Sequence, residues 1–232
     1  MKKPTLSLII PVYNEEDRID NIHRLFAFLK SFPWYTEVLI VNDGSTDGTL
    51  GKANILRQRY DFILVSRGAH RGKGAAVRAG VRRARGTYIC FMDIDLSVPP
   101  EFLMHFMEQR QKGDIIIATR RHPQSRLLVR QHPVRELLGA AFSWLVRRWL
   151  GIPVSDVTCG LKLFKAGVAK KLFVSATIDG WAFDAEILYH AYNAGLRIIE
   201  VPVGWRNGKN SKVRLLRDTI QSLVDIIGLR IY

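Results

Sequence analysis

Two hydrophobic patterns alternate along the first half of the chain. Short, mostly apolar runs fall at Leu6 to Val12, Glu37 to Val41, Phe62 to Val65, Thr87 to Met92 and Asp114 to Thr119. Between them, apolar residues return every three or four positions, as with Ile19, Ile22, Leu25, Phe26 and Leu29. The short runs fit strands buried on both faces, and the longer spacing fits helices with one apolar stripe. Their alternation predicts an α/β fold with a mostly parallel sheet, flanking helices and right-handed crossovers. The first helix is expected to start at an Asn14 cap, carry Glu15, Glu16 and Asp17 in its first turn, and run to about Phe32 before Pro33. Further helices are expected to about Tyr60, from the 66–74 loop through Arg85, and from about Pro100 to Gln111.

The second half carries a different pattern. Residues 126–150 read as a helical insertion with Phe142, Trp144, Leu145, Trp149 and Leu150 on an apolar face bordered by arginines. Residues 213–232 repeat the arrangement with Leu216, Ile220, Leu223, Val224, Ile227 and Ile231. Basic residues and tryptophans around an apolar face make up a membrane-interface helix, and an ordinary core-facing helix is the alternative. Cys159 to Phe164 reads as a turn into a short strand. Gly180 to Glu186 opens a helix to about Ala194, and Arg197 to Val203 reads as a last strand. The main domain is then 1–212.

Composition changes this picture in three ways. Thirty-five Lys and Arg against 21 Asp and Glu leave a net charge of +14, which calls for an anionic partner. Nucleic acid would satisfy that charge, but no nucleic-acid motif occurs and the aromatics do not interleave with the arginines, so none is expected. The longest apolar stretch, Leu137 to Val146, falls well short of the ~20 residues needed to span a bilayer, so membrane contact is expected to be peripheral. Nothing before the first strand has the form of a signal peptide. Only two cysteines occur, Cys90 and Cys159, far apart and without metal-ligand spacing. Reduced thiols and a cytoplasmic location, at the inner face of a membrane, are expected.

The candidate chemistry centres on Asp93-Ile94-Asp95. Side chains alternate along a strand, so both carboxylates should leave the Tyr88 to Met92 run on one face. Such a pair repels unless a cation lies between, and a hard divalent ion carrying a diphosphate meets that need. A solvated loop with two acids is the alternative. The segment Ser66 to Gly74 is a basic glycine loop opening a helix, a place where an anion is favoured, although a flexible connection would look the same. In sheets of this kind ligands bind beyond the carboxyl ends of the strands. The loops at Asn14-Glu15, Asn42-Asp43, Arg67 to Gly74, Asp93/Asp95 and Arg120 all fall there.

Pro11-x-Tyr13-Asn14-Glu15, Asn42-Asp43-Gly44-Ser45-x-Asp47-Gly48-Thr49 and Asp93-x-Asp95 resemble the opening motifs of family 2 glycosyltransferases with the GT-A fold. Arg71-Gly72-Lys73-Gly74-Ala75, Cys159 to Phe164, Trp181 to Glu186 and Gly208-x-x-Ser211-Lys212 resemble the dolichyl-phosphate glucosyltransferases, with the dolichyl-phosphate mannose synthases as cousins. Two departures stand out. Asn42 replaces the first member of an acidic pair, which shifts the nucleobase contact onto Asp43. An N-terminal anchor of the kind the eukaryotic members carry is also not expected.

The resemblance implies inverting transfer of a hexose from a nucleotide diphosphosugar to a polyprenyl or dolichyl phosphate. UDP-glucose is the favoured donor, with GDP-mannose the alternative. A sugar nucleotidyltransferase is the rival enzyme class, one with no need of the two amphipathic segments. The resemblance further implies Mg2+ or Mn2+ held by Asp93 and Asp95. Pro11, Tyr13, Glu15 and Asp43 would surround the base and ribose, and Arg120 would lie near the diphosphate. Lys73 is a further expected diphosphate contact, and Asp184 is expected to orient sugar hydroxyls. Arg135, Ser211 and Lys212 are expected to hold the acceptor phosphate, with Arg126 and Arg130 in reserve.

Overall fold

The computed structural model describes residues 2–129, 133–206 and 215–231. In chain order the first half holds β1 (Leu6–Val12), α1 (Asn21–Leu29), β2 (Thr36–Asn42), α2 (Thr49–Arg57), β3 (Ile63–Ser66), α3 (Lys73–Arg83), β4 (Tyr88–Met92), α4 (Phe102–Gln109) and β5 (Ile115–Thr119). The second half holds β6 (Arg126–Val129), α5 (Pro133–Leu150), β7 (Leu161–Lys165), α6 (Ala166–Ser175), α7 (Phe183–Asn193), β8 (Ile198–Pro202), β9 (Gly204–Arg206) and α8 (Leu215–Ile231).

Seven strands form the main sheet in the order β3-β2-β1-β4-β7-β5-β8. Only β7 runs antiparallel to its neighbours, wedged between β4 and β5. The alternating pattern of the first half therefore built a parallel sheet as expected, but β5 does not lie beside β4. The apolar run of β7 carries no sign of direction, because a buried strand looks alike read either way. Helices cover both faces. Leu25 of α1 and Phe106 of α4 pack against Leu8, Ile10 and Ile40 on one side. Val77 of α3, Phe173 of α6 and Phe183 of α7 pack against Ile9, Phe91 and Phe164 on the other.

Three local expectations change. The first helix begins at Asn21, not at Asn14. Asn14 has a left-handed φ of 51°, and its side-chain oxygen accepts from the Thr46 N–H at 2.8 Å. It ties two loops together, where a helix cap would need an extended backbone. Residues 126–129, expected to lead into a helix, form β6 and pair with β9 in a separate two-stranded sheet. Finally, β4 ends at Met92 and the aspartates lie on a turn, closed by the Leu96 N–H donating to Asp93 O at 3.1 Å.

Candidate active site

The turn places the acids as strand alternation would have done, by another route. Ile94 and Leu96 are buried, and Leu96 takes a left-handed φ of 49°. Asp93 and Asp95 both face a cavity of about 1520 Å³ at the carboxyl ends of β1, β2 and β4. The same cavity is lined by Pro11, Tyr13, Glu15, Asp43, Lys73, Arg120 and Asp184, so nine sequence candidates share one space. Ser211 and Lys212 lie outside the described residues, as does Arg130. Arg135 falls within α5, but its side chain is outside the description. Arg126 is exposed, and its N–H donates to Val203 O.

Asp93 accepts an ion pair from Lys73 Nζ at 2.6 Å. Burial alone would lower the Lys73 pKa; the charges of Asp93 and Asp184 outweigh it and raise it. The ammonium also lies 5.5 Å from the centre of the Trp181 ring. Lys73, expected on a diphosphate, is here paired with Asp93. Asp95 Oδ1 accepts the Ser97 N–H at 2.9 Å. Burial, and then the Asp93 charge, raise its carboxyl above the ordinary value. On the other side of Asp93 stands Gly160, where an added Cβ would fall 2.0 Å from Asp93 Oδ2. Only glycine leaves that oxygen its room.

The donor set suits one kind of cation. Among the described residues, no group of three or more His, Cys, Asp or Glu could hold a metal. Two carboxylates on one turn instead match a hard ion that takes its remaining oxygens from substrate phosphates and water, as Mg2+ does. The raised Asp95 carboxyl, crowded by Asp93, is the group that such a charge would relieve.

Arg120 leaves the end of β5 and is gripped from behind. Its Nε and Nη2 donate to the two oxygens of Asp156 at 2.7 and 2.8 Å, and Nη2 also donates to Thr158 Oγ1 at 3.0 Å. The guanidinium lies 5.7 Å from the centre of the Trp205 ring. Burial would raise the Asp156 pKa, but Arg120 holds it down at about 2. Asp184 at the start of α7 accepts from Lys162 Nζ at 2.6 Å, and both are buried. The Lys162 ammonium also donates to Cys159 O at 2.8 Å and lies 5.4 Å from the Phe91 ring centre.

Asp43 is the most heavily bonded acid of the site. Its carboxylate accepts from Arg67 Nη1 at 2.9 Å and from the N–H groups of Arg71 and Gly72 at 3.1 and 2.7 Å, and His70 Nδ1 lies 2.8 Å from it. The basic glycine loop thus closes on an anion of the chain itself. Gly72 has a φ of +124°, and a Cβ there would lie 2.4 Å from Asp179 O.

Sequence reasoning missed Asp156, Lys162 and His70. Lys162 carried a signal: a lysine between Leu161 and Leu163 in an apolar strand must be paired if both faces are buried. Asp156, followed by Val157 and preceded by Val154-Ser155, carried a weaker one. His70 carried none.

A metal-suited acid pair at the carboxyl edge of a mostly parallel sheet, with cationic and aromatic walls, defines the GT-A class of glycosyltransferase architecture. Residues 7–173 match the model of glycosyl transferase family 2; the chain belongs to that family and is a glycosyltransferase. It is 33% identical, over 97% of its length, to a dolichyl-phosphate beta-glucosyltransferase from Dictyostelium discoideum, covering 73% of that protein. Counterparts named in the same way are 34% identical in Drosophila melanogaster, over 90% of this chain and 69% of that one, and 30% identical in Homo sapiens, over 97% and 75%. Among solved structures, glucosyl-3-phosphoglycerate synthase from Mycobacterium tuberculosis, crystallised with Mn2+, UDP and glucosyl-3-phosphoglycerate, superposes with a TM-score of 0.71. That match covers 97% of this chain and 80% of the other at 21% identity, a likeness of fold.

Proposed function

We propose that this glycosyltransferase moves glucose from UDP-glucose to a polyprenyl or dolichyl phosphate, with inversion, at the cytosolic face of a membrane. The observation that carries this reading is the reach of a single cavity. It runs from Asp93, Asp95 and Arg120 to Phe142, Trp144 and Leu145 of α5 and to Ile220 and Leu223 of α8. A lipid phosphate needs that combination: charge-handling groups at one end and an apolar rim at the other. Outside the cavity, Trp149, Val224 and Ile227 extend the apolar exposure of the same two helices. No described helix is long and apolar enough to cross a membrane, and the reading takes the contact as peripheral.

The acceptor needs little activation. A phosphate monoester has its second pKa near ~6, so it is already an anionic nucleophile at neutral pH. The barrier lies in the departing nucleoside diphosphate. Asp93 and Asp95 would hold Mg2+ or Mn2+, which supplies charge stabilisation to the diphosphate oxygens. Arg120, fixed by Asp156 and Thr158, adds a cation that needs no reorganisation during the reaction. Lys73 lies within reach of both the acids and the open cavity, and neutralises the diphosphate from the other side. Asp184, held by Lys162, would accept sugar hydroxyls. Tyr13 and Asp43 take the base, with Pro11 and Glu15 beside the ribose. Arg135, Ser211 and Lys212 hold the acceptor phosphate. In domain terms, 1–212 is the catalytic unit, with 126–150 and 213–232 as its membrane-facing parts.

The test is a donor screen with radiolabelled nucleotide sugars and a polyprenyl phosphate, with and without EDTA. Label from UDP-glucose should enter the lipid fraction and stop with EDTA. Label from GDP-mannose alone would move the assignment to a mannosyltransferase, and no lipid-linked label from any donor would remove it. Asp95→Ala is expected to abolish transfer without unfolding; near-normal metal-dependent transfer by that variant would refute the role given to the pair.

A further inference from the structure

His70 has no place in the transfer just described, yet it makes two contacts at the heart of the cavity. Its imidazole lies flat on the Tyr13 ring, with centroids 3.6 Å apart and planes 14° from parallel. Its Nδ1 lies 2.8 Å from Asp43 Oδ2. The other groups on the Asp43 carboxylate are fixed: two backbone N–H groups of the loop and the largely buried Arg67 guanidinium. The His70 side chain is 45% exposed, so it is the one partner free to leave. A planar ring stacked on a phenol, with a ring nitrogen 2.8 Å from a carboxylate oxygen, occupies the two positions that a nucleobase would occupy there.

We infer that His70 is an internal stand-in for the nucleobase, holding the subsite between Tyr13 and Asp43 in the free protein and leaving it when the donor binds. The inference rests on the assignment of Tyr13 and Asp43 to the base. The exchange is near balance in kind. The base takes over one stack and one polar contact, and the imidazole returns to water, so Asp43 is never left buried without that partner. It also bears on selectivity. Uracil and guanine present a ring N–H on the edge that pairs in duplexes and can replace the imidazole N–H. Cytosine and adenine present a ring nitrogen acceptor there, which the Asp43 carboxylate would repel. Donors built on uridine or guanosine diphosphate are therefore favoured by the exchange.

The experiment titrates UDP and GDP into the full chain by calorimetry and follows the tighter ligand. His70→Ala removes the competitor, and its ligand affinity should rise roughly tenfold, the equivalent of one net hydrogen bond with its stack. In the wild-type protein, the His70 ring resonances should move on ligand addition, as the ring leaves the shielding face of Tyr13. Equal or weaker binding by His70→Ala overturns the proposal and makes His70 a fixed wall of the site. So do ring resonances that stay put at saturation, a result that does not depend on the variant folding. Tyr13→Ala separates the two layers of the argument. If it weakens the ligand while His70→Ala fails to tighten it, the base subsite stands and only the stand-in falls. If it leaves affinity unchanged, the base assignment itself falls.

Discussion

Asp156 shows how much a single residue behind the site can carry. It is fully buried, and its two oxygens take the Nε and Nη2 of Arg120, so each charge is the other's replacement for water. Its carboxyl, held at about 2, lies below the ~3.9 of a free aspartate. A depressed carboxyl stabilises the folded state above the unfolded pKa and loses that contribution as pH falls through the folded one. The pair should therefore contribute roughly 2–3 kcal/mol near neutrality and lose it between about pH 4 and pH 2. Asp156→Asn is expected to be less stable than wild type at pH 7 by at least that amount. Urea unfolding at stepped pH checks it: the gap should narrow from about pH 4 towards pH 2, and a constant gap would refute the linkage. The same residue also holds Arg120 over Trp205.

At the scale of elements, α5 and α8 each leave three large apolar side chains outside among the described residues, where α2, α6 and α7 leave one apiece. On α5, Ser143, Val146 and Leu150 are buried, while Trp144 is 62% exposed and Leu145 and Trp149 are also open. On α8, Ser222 and Ile226 are buried, while Ile220 and Val224 are 61% and 59% exposed. The two helices pack on each other, so these residues belong to one region. Large apolar side chains gathered on a surface mark a contact site, and Arg147 and Arg148 in the last turn of α5 suit anionic headgroups. Trp144→Glu and Val224→Glu should each reduce co-sedimentation with anionic liposomes several-fold. Being exposed, they should leave stability within about 0.5 kcal/mol of wild type. Unchanged sedimentation of the double variant would remove α5 and α8 as the membrane face.

At the scale of the whole molecule, the sheet decides what is reachable. Cys90 in β4 and Cys159 beside Gly160 are both buried, and burial pushes both thiols up, Cys159 to about 12. A thiol so placed is neither ionised nor accessible at neutral pH. Ellman's reagent should therefore find both thiols in denaturant and none rapidly in the folded protein, with the slow native reaction following global opening. A fast native thiol would show that the sheet opens locally at β4 or at the 156–160 turn. The sheet also decides what lines the pocket. Its carboxyl edge gathers the β1, β2 and β4 loops, while antiparallel β7 brings Gly160 against Asp93 from the opposite direction.

By itself the sequence determined the alternation of strands and helices, the loops that line the cavity, the acid pair, and the two amphipathic stretches. Those properties are local: runs of buried residues, the three-four stripe, turn residues and charge. Direction, neighbours and partners were decided only in three dimensions. The insertion of β7 between β4 and β5, the pairing of β6 with β9, Lys162 beneath Asp184 and Asp156 behind Arg120 all join positions distant in the chain. A hydrophobic pattern says that a residue must be buried, and a buried charge says that it must have a partner. Neither names the partner, because that depends on which strands meet. The acid pair shows both halves: its place at the end of β4 was legible, while the turn that aims it, Lys73 upon it and Gly160 beside it belong to the folded molecule.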